Sequence, residues 1–172
     1  KIIEGKLLVR DKASTNNVLN YTKPKVLHFA THSVYESQDF SSYLTPLINS
    51  GIALSGVNNK GNFLDDGFLS ALEFTKLDLK DTELVVVSGC ESGVGISDFR
   101  GESVYGLKRS IVVSGARSSI LTLWPVEDKA TSAFMISFYQ KLKKGESRYE
   151  ALINTQKDFR SGVITSNSYD DW

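Results

Sequence analysis

The sequence predicts an α/β fold built on a mostly parallel sheet, and two observations predict it. Short apolar runs rich in β-branched residues alternate with longer helical patterns along the chain. One of those runs, Glu83 to Ser88 (ELVVVS), is apolar on both faces, as a central parallel strand covered by helices must be.

The elements follow in order. Ile2 to Val9 reads as a short hairpin turning at Glu4-Gly5. Ser14 to Tyr21 is weakly helical, and Pro24 prevents its extension. Val26 to Ala30 (VLHFA) reads as a buried strand. Residues 31 to 50 are polar and irregular, and Gly51 to Leu54 forms another short strand. Asn58 to Gly67 is turn-rich. Ser70 opens a short helix, with Glu73 at capping-box spacing. The strand from Glu83 to Ser88 leads into a glycine-rich loop, Gly89 to Gly101. Glu102 to Ser114 is a helix with Val104, Leu107 and Ile111 on one face and Gly115 as its stop. Ser118 to Trp124 is a strand ended by Pro125. Asp128 to Leu142 is an amphipathic helix with Phe134, Phe138 and Leu142 on one stripe and Gly145 behind it. Ser147 and Glu150 repeat the capping-box spacing before a last helix ending near Gly162. The tail from Val163 is polar and unassigned. No internal repeat, linker or low-complexity tract interrupts the pattern.

A chain of 172 residues fits one globular domain over 1–172. It begins with Lys1 and not Met, so a piece of a larger protein is expected. The formal net charge is zero, and the aromatic residues sit among aliphatics, so nucleic-acid and membrane-surface roles are not expected. Apolar runs are far shorter than a membrane span. A single cysteine forbids an internal disulfide and a thiolate-rich zinc site. It fits a reducing compartment, and a cytoplasmic location is expected.

Cys90 lies just past the carboxyl end of the central strand run, where ligand sites of open α/β sheets gather. Small neighbours (Ser88, Gly89, Ser92, Gly93) leave its thiol reachable. Position alone also fits a buried structural cysteine. His32 follows the other buried strand, again at its carboxyl end. Neighbouring parallel strands would bring both to one sheet edge as a nucleophile–base pair; a solvated loop histidine is the plainer alternative. His28 sits inside its strand run and is expected to be buried, hydrogen-bonded and structural. The glycine-rich loop lacks the Gly-Lys-Ser/Thr ending of a phosphate-binding loop and the spacing of a dinucleotide fingerprint. No cofactor and no metal are expected.

Several ordered blocks together resemble one family. They are Val26 to His32 (VLHFATH), Leu84 to Gly93 (LVVVSGCESG), Gly101 to Leu107 (GESVYGL), Ser114-Gly115-Ala116, and Leu123 to Asp128 (LWPVED). Behind these come Ala130-Thr131 and the Phe138-Tyr139 pair. From about Lys6 to Arg160 the chain resembles the CHAT domain, the caspase-like domain often found behind tetratricopeptide repeats. The resemblance implies a caspase-like three-layer α/β/α sandwich and a clan shared with caspases, separase and gingipain-like peptidases. It also implies a cysteine endopeptidase acting on a protein or peptide substrate. An attached tetratricopeptide-repeat or other regulatory domain is expected with it. A catalytically silent scaffold or signalling domain is the alternative; the presence of both His32 and Cys90 speaks against it.

In that family the residues matching His32 and Cys90 form the catalytic dyad. The resemblance further implies an oxyanion hole made by the backbone N–H groups of Cys90 and of the residue after the histidine. The family usually has glycine there; this chain has Ser33, which keeps the donor but gives up freedom at positive φ. Gly89 and Ser92 replace the usual alanine and threonine, small-for-small changes expected to be tolerated. Substrate-binding candidates are Ser88, Asp128, Glu127 and Asp98, the acidic ones favouring Arg or Lys before the cut. Helix-end roles account for two of them as well, Asp128 as N-cap and Glu127 as a first-turn carboxylate.

Overall fold

The structure, a computed structural model, describes residues 5–35, 45–58, 66–89, 102–122 and 126–169. The chain divides into two compact units, Leu8–Pro125 and the termini Lys1–Leu7 with Val126–Trp172. The larger unit runs α1 (Thr15–Leu19), β1 (Val26–Phe29), β2 (Ser33–Tyr35), α2 (Thr45–Asn49), β3 (Ser50–Ala53) and β4 (Phe68–Ser70). It continues with α3 (Ala71–Phe74), β5 (Leu84–Val87), α4 (Glu102–Val113) and β6 (Ser119–Leu121).

Its main sheet is parallel, in the order β1-β5-β6. Phe29 stands opposite Val87, and Val87 opposite Leu121, so all three strands end along one edge. The middle position of β5 explains its composition: all four residues are buried, none more than 3% exposed. Side chains alternate along a strand. Val85 and Val87 therefore share a core with Phe29, Phe74, Leu107 and Ile111. The Phe29 and Phe74 rings meet at 5.8 Å between centroids. Leu107 and Ile111 lie on the apolar stripe read from the sequence.

A second sheet, β2-β3-β4, is antiparallel. Ser33 pairs with Ile52, and Gly51 with Ser70. The stretch 31–50, expected to be irregular, thus carries β2 and α2, and β4 was not expected at all. These elements span three to five residues, too few for periodicity to show. Both predicted capping boxes form. At Ser70 the hydroxyl accepts from the Glu73 amide at 3.1 Å while the Glu73 carboxylate accepts from the Ser70 amide at 3.1 Å. The α4 stop is Gly115, at φ 95°. A Cβ there would meet Lys80, and the left-handed backbone suits only glycine well.

The expected hairpin over 2–9 is not found. Residues 5–9 form no strand, and 2–4 lie outside the described residues. Leu7 and Val9 are exposed, and a 3-10 segment, Arg10–Lys12, follows them.

The smaller unit holds α5 (Asp128–Lys143) and α6 (Arg148–Arg160). They pack against each other: Lys141 pairs with Asp158 at 2.7 Å, and the Phe134 and Phe159 rings meet at 5.4 Å. Phe138 of the predicted stripe is fully buried. Ser147 caps α6, and its two hydrogen bonds hold the Glu150 carboxyl below its ordinary range. The tail is less loose than its composition suggests. Ile164 is buried, and the Tyr169 hydroxyl donates to Gln140 at 3.2 Å. No helix among the described residues is long and apolar enough to cross a membrane.

Candidate active site

Because β1, β5 and β6 are parallel and in register, the segments leaving their carboxyl ends converge. Thr31-His32-Ser33 leave β1, Ser88-Gly89 leave β5 and Thr122 leaves β6. Four hydrogen bonds brace them. The Ser88 amide donates to the Phe29 carbonyl at 3.0 Å, continuing the β1–β5 ladder. The Thr122 hydroxyl donates to the Gly89 carbonyl at 2.6 Å. The Thr31 hydroxyl donates to the Ala53 carbonyl at 2.7 Å. The Ala53 amide donates to the His32 carbonyl at 2.8 Å.

That last bond fixes the parity of the β2–β3 ladder. In an antiparallel pair, hydrogen-bonded and non-bonded positions alternate. With His32 bonded to Ala53, Ser33 falls opposite Ile52 in a non-bonded position, so its N–H points away from β3. Gly89 packs on that side. A Cβ built at Gly89 would overlap the Thr31 carbonyl oxygen and would sit 3.3 Å from the Ser33 nitrogen. The glycine is therefore demanded by a backbone-to-backbone approach. Among the described residues only Arg10 and Lys23 are non-glycines at positive φ. Ser33 thus lies in ordinary extended backbone, and glycine's freedom is not needed there.

His28 is hydrogen-bonded as expected, but half-buried and not fully buried. It lies in β1, partly buried, with its Nε2 at 2.7 Å from the Ser88 Oγ. Burial pushes its pKa down to about 4, so the ring is neutral at pH 7. The Ser88 hydroxyl, expected to face substrate, is engaged by this imidazole. The His32 side chain is exposed.

The remaining candidates are Cys90, Asp98, Glu127 and Asp128. Cys90 and Asp98 lie outside the described residues. Glu127 and Asp128 belong to the smaller unit, where their helix-end roles are the reverse of those expected. Glu127 is the N-cap of α5, without a side-chain capping bond, and Asp128 is the first helical residue. Among the described residues no three of His, Cys, Asp and Glu gather as a metal site. Thr31 and Thr122 were not singled out in the sequence. The available signal was a hydroxyl residue just past the carboxyl end of each flanking strand.

A fold in which a histidine segment and a glycine backbone meet at one edge of a parallel sheet is the class of architecture this chain presents. The family follows from the sequence: a model of the CHAT domain matches residues 2–172, and the chain belongs to that family, with its caspase-like α/β fold. No curated protein and no solved structure matches it.

Proposed function

We propose that this chain is a cysteine endopeptidase, with Cys90 as nucleophile and His32 as general base and acid. The observation that carries the reading is the approach of Gly89 to the backbone on both sides of His32. Cys90 is the next residue in the sequence. Membership of a caspase-like family supports the same reading.

In the proposed reaction the Cys90 thiol loses its proton to His32, and the thiolate attacks the scissile carbonyl carbon. The carbonyl oxygen takes the negative charge and is met by the N–H groups of Ser33 and Cys90. The unbonded direction of the Ser33 N–H supports its part in this. Each such donor contributes about 3 kcal/mol to the transition state in comparable enzymes. The imidazolium then protonates the leaving amine, giving an acyl-enzyme. Water, deprotonated by His32, hydrolyses the thioester and frees Cys90.

The substrate is a protein or peptide. Asp98, Glu127 and Asp128 are the proposed substrate-side residues, selecting Arg or Lys before the cut, while the Ser88 hydroxyl is given to His28. The domain works in the cytoplasm, where its single thiol stays reduced, under control of an attached repeat or other regulatory domain. The test is cleavage of a positional peptide library by the protein, with any repeat domain it carries, beside Cys90→Ala. Cleavage by the wild type alone is expected. Equal cleavage by both proteins would mean another nucleophile, and cleavage by neither would leave a silent scaffold.

A further inference from the structure

We infer that His28 is a positioning residue for the dyad, tying the two strand ends that carry His32 and Cys90 through its hydrogen bond to Ser88. The inference rests on the peptidase reading above and concerns the same site.

The β1–β5 pairing is otherwise a backbone ladder between apolar strands. His28 stands opposite Val86, yet its ring reaches one step along the sheet to Ser88, 2.7 Å away. Ser88 lies two residues before Cys90, and His28 four before His32. A side-chain bridge at that point links the last rung of the ladder to both functional segments. Gly89 is then held from three directions. Its predecessor is bound to His28, its carbonyl is bound to Thr122, and its Cα abuts the Thr31 carbonyl.

Stability alone gives a poor reason for an imidazole here. Two apolar side chains of matching shape would serve as well without the cost of burying polar groups. The ring is held neutral, so it offers one donor and one acceptor in fixed directions and brings no charge to compete with His32. Direction is what a dyad requires. A misplacement of about 1 Å costs on the order of 100-fold in rate.

The test uses His28→Phe, which keeps a ring and removes the bond, and Ser88→Ala. Ser88→Thr and His28→Gln are the hydrogen-bonding controls, and thermal melts establish that each variant is folded. The readout that needs no substrate is the pH profile of iodoacetamide alkylation at the single cysteine. Wild type is expected to alkylate as a thiol of lowered pKa, and His32→Ala as one near about 8.5. His28→Phe and Ser88→Ala should shift toward the His32→Ala profile, while Ser88→Thr and His28→Gln stay near wild type. On a cleaved peptide, kcat should fall about 10- to 100-fold with KM little changed, the pattern of lost transition-state geometry. A folded His28→Phe with the wild-type alkylation profile overturns the inference, as does a wild-type profile that His32→Ala leaves unmoved. If no peptide is cleaved but alkylation responds to both histidines, the positioning role stands and the peptidase reading alone fails.

Discussion

The Cα of Gly89 faces the carbonyl oxygen of Thr31 so closely that no side chain fits between them. The contact joins the segment before Cys90 to the segment holding His32, and both partners are backbone, which cannot turn aside. Gly89→Ala must therefore push β5 from β1 or displace the His32 segment. Overpacking of this kind costs about 1–3 kcal/mol, which lowers Tm by about 2–10 °C in a chain of this size. Differential scanning calorimetry checks it, and an unchanged Tm with full activity would contradict the close approach.

Thr122 holds the other side of Gly89. Thr122→Val keeps the shape and β-branching and leaves the Gly89 carbonyl without this donor. The expected loss is about 1–3 kcal/mol of stability in urea unfolding, with kcat reduced more than KM is raised. A variant as stable and as active as wild type would remove Thr122 from the site.

His28 gives a stability signature in acid. Its folded pKa, about 4, lies below the ordinary histidine value of 6.5. Between those values the unfolded chain binds the extra proton, so stability rises with pH there. The contribution is complete above about pH 6.5 and fades as pH falls toward 4, by up to about 3 kcal/mol. Replacing the ring by His28→Phe should flatten that part of the urea-midpoint profile. Equal slopes in both proteins would show that the imidazole is not held neutral.

These effects also mark how far the sequence could be read. The β5 strand was legible because four consecutive buried aliphatics fit a covered central strand and little else. The helices from 128 and 148, with their stripes, capping signals and following glycines, were legible for the same kind of local reason. The elements β2, α2 and β4 were not, since each is held by its neighbours and too short to carry a period. At the site, His32 and its strand end could be located from local pattern. The changes at 33 and 89 could not be weighed that way. Only the register shows Ser33 in extended backbone, and only the packing shows that Gly89 is required where a small residue was expected to do. Hydroxyl bonds from Thr31 and Thr122 depend on residues 22 and 33 positions away, beyond any local pattern.

Specificity is testable at the start of α5. Asp128 is exposed at its first helical position. If its carboxylate receives a basic side chain, Asp128→Asn weakens cleavage after Arg or Lys about 10-fold or more, as loss of a charge-assisted hydrogen bond does. Profiling the variant on a positional library measures this. An unchanged preference would assign Asp128 to the helix dipole alone.

In the proposed reaction Cys90 forms a covalent acyl-enzyme with the help of His32. Rapid acid quench of a reacting peptide ester, followed by intact and peptide-level mass spectrometry, reads this directly. An acyl adduct on Cys90 is expected, absent in Cys90→Ala and slowed at least about 100-fold in His32→Ala, the scale of a lost general base. Turnover with no adduct on Cys90, or with the acyl group on Ser88, would contradict it.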